Sequence, residues 1–240
     1  MITLYNYHRS YASQKVLVYL SEKGIKWKSH HIDLLKQEHI LDETYKNIHP
    51  RGLIPALKDG GVVICNSTEI LEYISIKYLH KSDIFFNLSL SAAIHDFCKK
   101  DELLHDPHIR ILSYSNLWMA GVRSNEENNR LLALAAKHPD KVRGAFLAKA
   151  VRGEITPEEI KLANTAIEQA LSDMEKKLAD NQSGFIFGEE YTMADTVCTV
   201  RLFRFGRLNV KIELLKDQYP HTAAFYERVK QRNSFRELQI

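Results

Sequence analysis

The spacing of apolar and polar positions changes character near residue 80 of this chain. Before it, short β-rich runs alternate with short helical patterns. Ile2–Tyr7 reads as a strand closed by a basic, polar turn. Ala12–Lys23 then carries Val16, Leu17 and Leu20 at helical spacing, with Gly24 where a helix stop is expected. Lys26–Leu34 predicts a second strand and Ile40–Ile48 a weaker helix, ended by His49-Pro50. Ile54–Lys58 and Val62–Cys65 predict two strands around the hairpin signal Asp59-Gly60-Gly61. Asn66–Tyr78 puts Ile70, Leu71, Ile74 and Tyr78 on one helical face. The order β-α-β-α-β-β-α predicts a small mixed sheet: the first two strands parallel through a right-handed crossover, the last two an antiparallel hairpin.

After Leu79 no run reads as a strand. Helical periodicity covers Ser89–Val122, Asn125–Val151, Thr156–Asp180, Thr192–Arg207 and Pro220–Gln231, with a loop or a kink expected near His138-Pro139. Thr156-Pro157-Glu158-Glu159 is a helix-start signal: a capping hydroxyl, proline at the first helical position and acids near the positive helix end. Thr192 and Asp195, three apart before the apolar run Val197–Phe205, form a capping box with Asp in place of Glu. The expected division is 1–80 for an α/β domain, 81–88 for a linker and 89–240 for an all-helical domain.

Composition narrows the class. The 240 residues suffice for two ordinary domains, and a hydrophobic share of 45% with 26% charged residues is that of a globular protein. The net charge of +3, with Lys and Arg scattered, does not suggest a nucleic-acid partner. No run of about 18 apolar residues predicts a membrane span, and the start resembles a strand rather than a signal peptide. Cys65, Cys98 and Cys198 are odd in number and widely spaced, without a C-x-x-C. That argues against a disulfide frame, a zinc site or a dithiol motif, and makes the reducing cytoplasm the simplest compartment.

Three junctions carry candidate chemistry, each beside a plainer reading. In Arg51-Gly-Leu-Ile-Pro-Ala-Leu57, Pro55 cannot donate a ladder hydrogen bond. It is either an edge-strand proline or a cis residue that turns the backbone of Ile54 toward a ligand. Asn66 and Ser67 open a helix, whose N-terminus suits a carboxylate; helix capping is the alternative. Ser10, between the first strand and helix, is a cap or a hydroxyl that donates to a bound thiolate. No metal site is expected: His30 and His31 point to opposite faces of a strand, and His105-Asp-Pro-His108 reads as loop or surface. Tyr114, Trp118 and Met119 are aromatic and apolar positions at helical spacing, suited to core packing or to a pocket wall.

Taken together, Ser10 with Lys15-Val16, Ile54-Pro55-Ala56-Leu57, Asn66-Ser67 and Thr192-Met-Ala-Asp195 resemble the glutathione transferase family across nearly the whole chain. Arg9-Ser10-Tyr11-Ala12-Ser13 is similar to the serine-type, zeta-class segment, and other stretches resemble the tetrachlorohydroquinone dehalogenase and bacterial β-etherase branches. The resemblance implies a thioredoxin-like first domain with a four-stranded mixed sheet, a helical second domain and a homodimer. It implies a cis Pro55, glutathione as co-substrate, Ile54 and Pro55 at its cysteinyl part, and Asn66 and Ser67 at its γ-glutamyl end. Ser10, with Ser13 as the alternative, would activate the thiol for attack on a small hydrophobic electrophile near Tyr11, Tyr114 and Trp118. Two departures stand out. Ala12 occupies the reactive-cysteine position, which disfavours mixed-disulfide chemistry. Leu53 replaces a glutamine or basic residue, so His39 or Lys36 would share the grip on glutathione. A non-catalytic binding protein on the same fold is the alternative function, and a glutaredoxin-like oxidoreductase conflicts with Ala12.

Overall fold

Strands β1 (Ile2–Asn6), β2 (Trp27–His31), β3 (Ala56–Asp59) and β4 (Val62–Ile64) form one mixed sheet in the order β2-β1-β3-β4. The structure is a computed structural model and describes residues 1–78, 88–118, 123–181, 183–208, 210 and 215–239, without the side chains of Leu88, Trp118 and Leu215. The β1–β2 pair is parallel, from Ile2↔Trp27 to Asn6↔His31, and the β1–β3 and β3–β4 pairs are antiparallel. Helix α1 (Tyr11–Glu22) makes the crossover. It ends at Gly24, whose φ of 64° lets the Ile25 N–H reach back to the Leu20 carbonyl at 3.0 Å; a left-handed residue closes a helix this way at little cost only when it is glycine. Strand β2 stops earlier than the apolar pattern predicts, because Asp33 Oδ1 accepts from the N–H of Leu35 (2.9 Å) and Lys36 (3.3 Å) and turns the chain. The predicted weak helix divides into a 3₁₀ turn, Glu38–Leu41, and α2 (Glu43–Ile48) capped by Asp42.

Helix α3 (Ser67–Lys77) completes the sheet region, and the described remainder holds only helices and turns besides a lone bridge between Phe185 and Gly188. The predicted linker, 81–88, falls outside the described residues except for Leu88. The single long helix predicted over Ser89–Val122 is not observed. α4 (Leu88–Leu103) is followed by a wide turn at Leu104–Ile109, then α5 (Arg110–Ser113) and a second wide turn over Tyr114–Trp118. Pro107 is the cause: it has no N–H, and Asp106 before it adopts extended dihedrals (φ −119°, ψ 106°). Of the loop or kink expected near His138-Pro139, the loop is observed: it separates α6 (Asn125–Lys137) from α7 (Lys141–Val151), with Asp140 capping α7. α8 (Pro157–Asn181), α9 (Met193–Arg207), a short α10 (Leu215–Gln218), α11 (Pro220–Lys230) and a 3₁₀ turn at Asn233–Leu238 follow.

One apolar core runs through both regions. Leu4, Val16, Leu20 and Ile70 join Ile94, Ile167, Val197 and Phe205 in it, all buried. A charged knot crosses the same seam. The Asp101 carboxylate on α4 accepts from Tyr11 Oη at 2.7 Å, Lys15 Nζ at 3.1 Å, and Arg201 Nε and Nη2 at 3.1 and 3.0 Å. Lys15 is therefore structural, tying α1 to α4 and, through Asp101, to α9. The capping box is present: Asp195 Oδ2 accepts from the Thr192 N–H (2.7 Å) and hydroxyl (2.8 Å), while Thr192 Oγ1 accepts from the Ala194 N–H. Asp195 Oδ1 also accepts from the Ile186 N–H at 2.8 Å, which fastens the preceding loop to α9.

Candidate functional site

Between the sheet edge and the helices lies a cavity of about 520 Å³. Ser10, Ile54, Pro55, Asn66 and Ser67, drawn from three junctions up to 57 positions apart in the chain, all line it. Ser10 is the N-cap of α1; its Oγ accepts from the Ser13 N–H at 3.4 Å, and its own N–H donates to the Tyr7 carbonyl at 2.8 Å. A hydroxyl used as an acceptor keeps its proton to give, so capping and a donor role are compatible here. Ser13 is fully buried beneath, with its Oγ accepting from the Tyr7 N–H at 3.4 Å, and does not line the cavity.

The Ile54–Pro55 bond is cis. The approach to it is held by Gly52 (φ 60°), where an added Cβ would meet Pro139 Cγ at 3.0 Å, and by Tyr45, whose hydroxyl donates to the Leu53 carbonyl at 2.5 Å. Leu53 lines the cavity. Asn66 caps α3, its Oδ1 accepting from Thr68 N–H (2.8 Å) and Glu69 N–H (3.1 Å), so the plain capping reading is correct for that oxygen. Ser67 follows as the first helical residue, where main-chain N–H groups lack intrahelical partners. Of the two residues expected to replace the missing polar side chain at Leu53, His39 lines the cavity and Lys36 does not. Lys36 is exposed, and its carbonyl accepts from Arg130 Nη1 at 2.7 Å. Burial lowers the His39 pKa to about 4, so its imidazole is neutral at physiological pH. Cys65 also lines the cavity; burial raises its thiol pKa, and its Sγ donates to the Ile48 carbonyl.

On the helical side, Tyr11 and Tyr114 line the cavity, while the side chain of Trp118 lies outside the described residues. Tyr114 meets Phe146 edge to face at 5.0 Å, and burial raises its pKa to about 12. Of the loop or surface reading of His105, the loop holds, in the wide turn, and the surface does not. His105 packs on Tyr11 at 4.9 Å and lines the cavity, because Pro107 ends the helical run just after it. Burial, then the charges of Lys15 and Arg143, lower its pKa to about 3. Sequence reasoning also passed over Gln37, Arg51, Arg110, Arg143 and Arg204, all of which line the cavity. One signal was legible: Arg201 and Arg204 interrupt the apolar run of α9 three residues apart, and buried positions do not carry arginine without a task. Among the described residues no group of three or more His, Cys, Asp or Glu gathers as metal ligands, and no helix is long and apolar enough to cross a membrane.

A thioredoxin-like sheet domain, followed by a helical domain that shares a cavity with it, defines the architecture of glutathione transferases. The chain belongs to that family: the model of the glutathione S-transferase N-terminal domain matches residues 4–81, and that of the C-terminal domain residues 146–237. It is 25% identical to glutathione S-transferase Z2 of Arabidopsis thaliana, over 98% of this chain and 88% of the relative. It is also 25% identical to tetrachloro-p-hydroquinone reductive dehalogenase of Sphingobium chlorophenolicum, over 100% and 96%. Among solved structures, the beta-etherase LigF from Sphingobium sp. strain SYK-6 superposes with a TM-score of 0.76 at 22% identity, covering 99% of this chain and 98% of that one. Glutathione transferase F7 from Populus trichocarpa superposes with a TM-score of 0.70 at 19% identity, over 100% and 98%. The chain is thus an enzyme of the glutathione-dependent transferase family.

Proposed function

We propose that the cavity binds glutathione along its sheet side and activates the thiol as a thiolate for attack on a small hydrophobic electrophile. The observation that carries this is the meeting of Ser10, Ile54, Pro55, Asn66 and Ser67 in one cavity. The first turn of α3, positioned by the Asn66 cap, offers N–H groups and the Ser67 hydroxyl to the γ-glutamyl carboxylate. The main chain of Ile54, one residue before cis-Pro55 and two before β3, pairs with the cysteinyl unit. His39 and Leu53 border the far end, and Lys36 has no part in it.

That path places the sulfur near the N-terminus of α1, where the Ser10 hydroxyl donates to it. A free thiol has a pKa near 8.5, and each unit of lowering corresponds to about 1.4 kcal/mol of preference for the thiolate. One hydrogen bond to the charged sulfur, worth about 1.5–3 kcal/mol, supplies roughly one to two units. Ser13 is the poorer choice, since it is buried and lies off the cavity. The electrophile packs against Tyr11 and Tyr114. Ala12 supplies no thiol, and the cavity's Cys65 is held as the neutral form by burial, so the chemistry is transfer or addition. The cytoplasm and a homodimer, the sheet domain of one subunit against the helical domain of the other, complete the proposal by family resemblance.

The test is a pair of variants. Ser10→Ala is expected to slow conjugation of a chloronitrobenzene about 10- to 100-fold and to raise the pH at which bound glutathione ionises. Ser13→Ala is expected to leave that pH in place. The reverse outcome transfers the role to Ser13. In parallel, Ser67→Ala is expected to weaken glutathione binding about tenfold or more by calorimetry; unchanged affinity would reject the site.

A further inference from the structure

The helical wall of the cavity carries more positive charge than the acids among the described residues balance. Arg110 is only 8% exposed and lines the cavity, yet its Nε and Nη1 have no hydrogen-bond partner. Its Nη2 is paired with Asp106. The second oxygen of Asp106 is already taken, at 2.9 Å, by Nη2 of Arg143. Two guanidinium groups therefore share one carboxylate. A third, Arg204 from α9, is 4% exposed and lines the same cavity. Its Nη2 donates only to neutral acceptors, the Arg9 carbonyl (2.6 Å) and Gln14 Oε1 (3.1 Å), and its Nε is unpartnered. The other acid on the cavity wall, Glu102, faces Lys99 at 3.5 Å. His105, which also lines the cavity, is neutral and offsets nothing.

Burying two cations against one shared carboxylate leaves part of their charge uncompensated, at a cost in stability. An apolar side chain in place of Arg110 would avoid that cost. The Arg110 guanidinium lies 4.5 Å over the ring of Phe146, which in turn meets Tyr114, so unused donors and a flat aromatic surface stand side by side. We propose that this wall recognises an electrophile bearing a carboxylate on an aromatic or similarly flat body, with Arg110 Nε and Nη1 donating to the anion and the body packed on Phe146 and Tyr114. Charge-assisted bonds to a planar anion are what a guanidinium makes best. This assignment rests on glutathione occupying the Ser10–Ser67 side, which leaves the Arg110 wall to the second substrate.

The experiment uses unreactive probes, 3-nitrobenzoate and its neutral counterpart 3-nitrobenzamide, titrated calorimetrically into protein saturated with S-methylglutathione. The expected result is benzoate binding at least about tenfold tighter than the amide in the wild type, the preference falling to within about twofold in Arg110→Met while the amide's affinity holds. Equal binding of the two probes in the wild type overturns the proposal. So does a preference that survives in Arg110→Met, or benzoate that is displaced by S-methylglutathione and so belongs in the glutathione site. If Arg110→Met does not fold, Arg110→Gln, which removes the charge and keeps polar donors, replaces it, and the wild-type ratio is decisive by itself. S-methylglutathione binding is measured separately; its failure counts against the glutathione site, whereas the benzoate preference still judges the Arg110 wall.

Discussion

Replacing Asp101 by asparagine removes one negative charge from the seam between the sheet domain and the helices without changing the shape of the side chain. The carboxylate is fully buried and accepts four hydrogen bonds, from Tyr11, Lys15 and twice from Arg201. Lys15 and Arg201 have side-chain exposures of 1% and 7%, so neither can turn to water when its counter-ion is lost. Breaking a buried pair by removing one partner costs about 3–5 kcal/mol, because the remaining charge stays desolvated. For a chain of this size each kcal/mol moves the melting temperature by about 2–4 °C, so Asp101→Asn is expected to lower Tm by roughly 6–20 °C. The two nearby cations lower the Asp101 pKa against the opposing effect of burial. A carboxylate whose folded pKa is below its unfolded value contributes stability above the unfolded pKa and loses it as pH falls through the folded one. The wild type therefore loses this contribution on acidification below about pH 4, and the asparagine variant has none to lose. Scanning calorimetry on the wild type, Asp101→Asn and the double variant Asp101→Asn/Lys15→Met measures the effect. The double variant, with one stranded charge fewer, is expected to recover part of the loss. A drop under about 3 °C for Asp101→Asn, or a double variant less stable than Asp101→Asn itself, refutes the reasoning.

Asp195→Ala removes three buried hydrogen bonds, one of them to the Ile186 N–H outside the capping box, and is expected to cost about 2–4 kcal/mol in urea unfolding while glutathione affinity of the folded protein is unchanged. The His39 pKa is lowered from 6.5 to about 4, so the unfolded chain takes up its proton first as pH falls; the contribution is present above pH 6.5, and about 2 kcal/mol of it is lost between pH 7 and pH 5. His39→Gln is expected to flatten that part of the pH profile, and an unaltered profile would show that His39 is not buried as described. Turnover with a halogenated hydroquinone is expected to yield no glutathione–protein mixed disulfide by mass spectrometry, since Ala12 has no thiol and Cys65 is held protonated. Sedimentation at micromolar concentration is expected to give a dimer; a monomer rejects the assembly proposed above.

Local patterning was enough to write down the sheet domain. The period of apolar residues, Gly24, the Asp59-Gly60-Gly61 turn and the caps at Asn66, Thr156 and Thr192 each act over a few residues, and interactions of that range are legible in a string of letters. The same locality explains why Ser10, Ile54-Pro55 and Asn66-Ser67 could be singled out: each sits at the end of an element, where backbone groups are left to bind something else. Their meeting in one cavity was a different matter, as it depends on the β2-β1-β3-β4 order that brings three loops to one edge. The helical side lay further from reach. Pro107 divides the predicted long helix and turns His105 into the cavity, while Arg110, Arg143 and Arg204 come from three separate helices that only packing makes neighbours. An arginine in an amphipathic pattern looks the same in sequence whether it faces solvent or a cavity. Burial, and the presence or absence of a partner for its charge, distinguish the two, and both are properties of the tertiary structure.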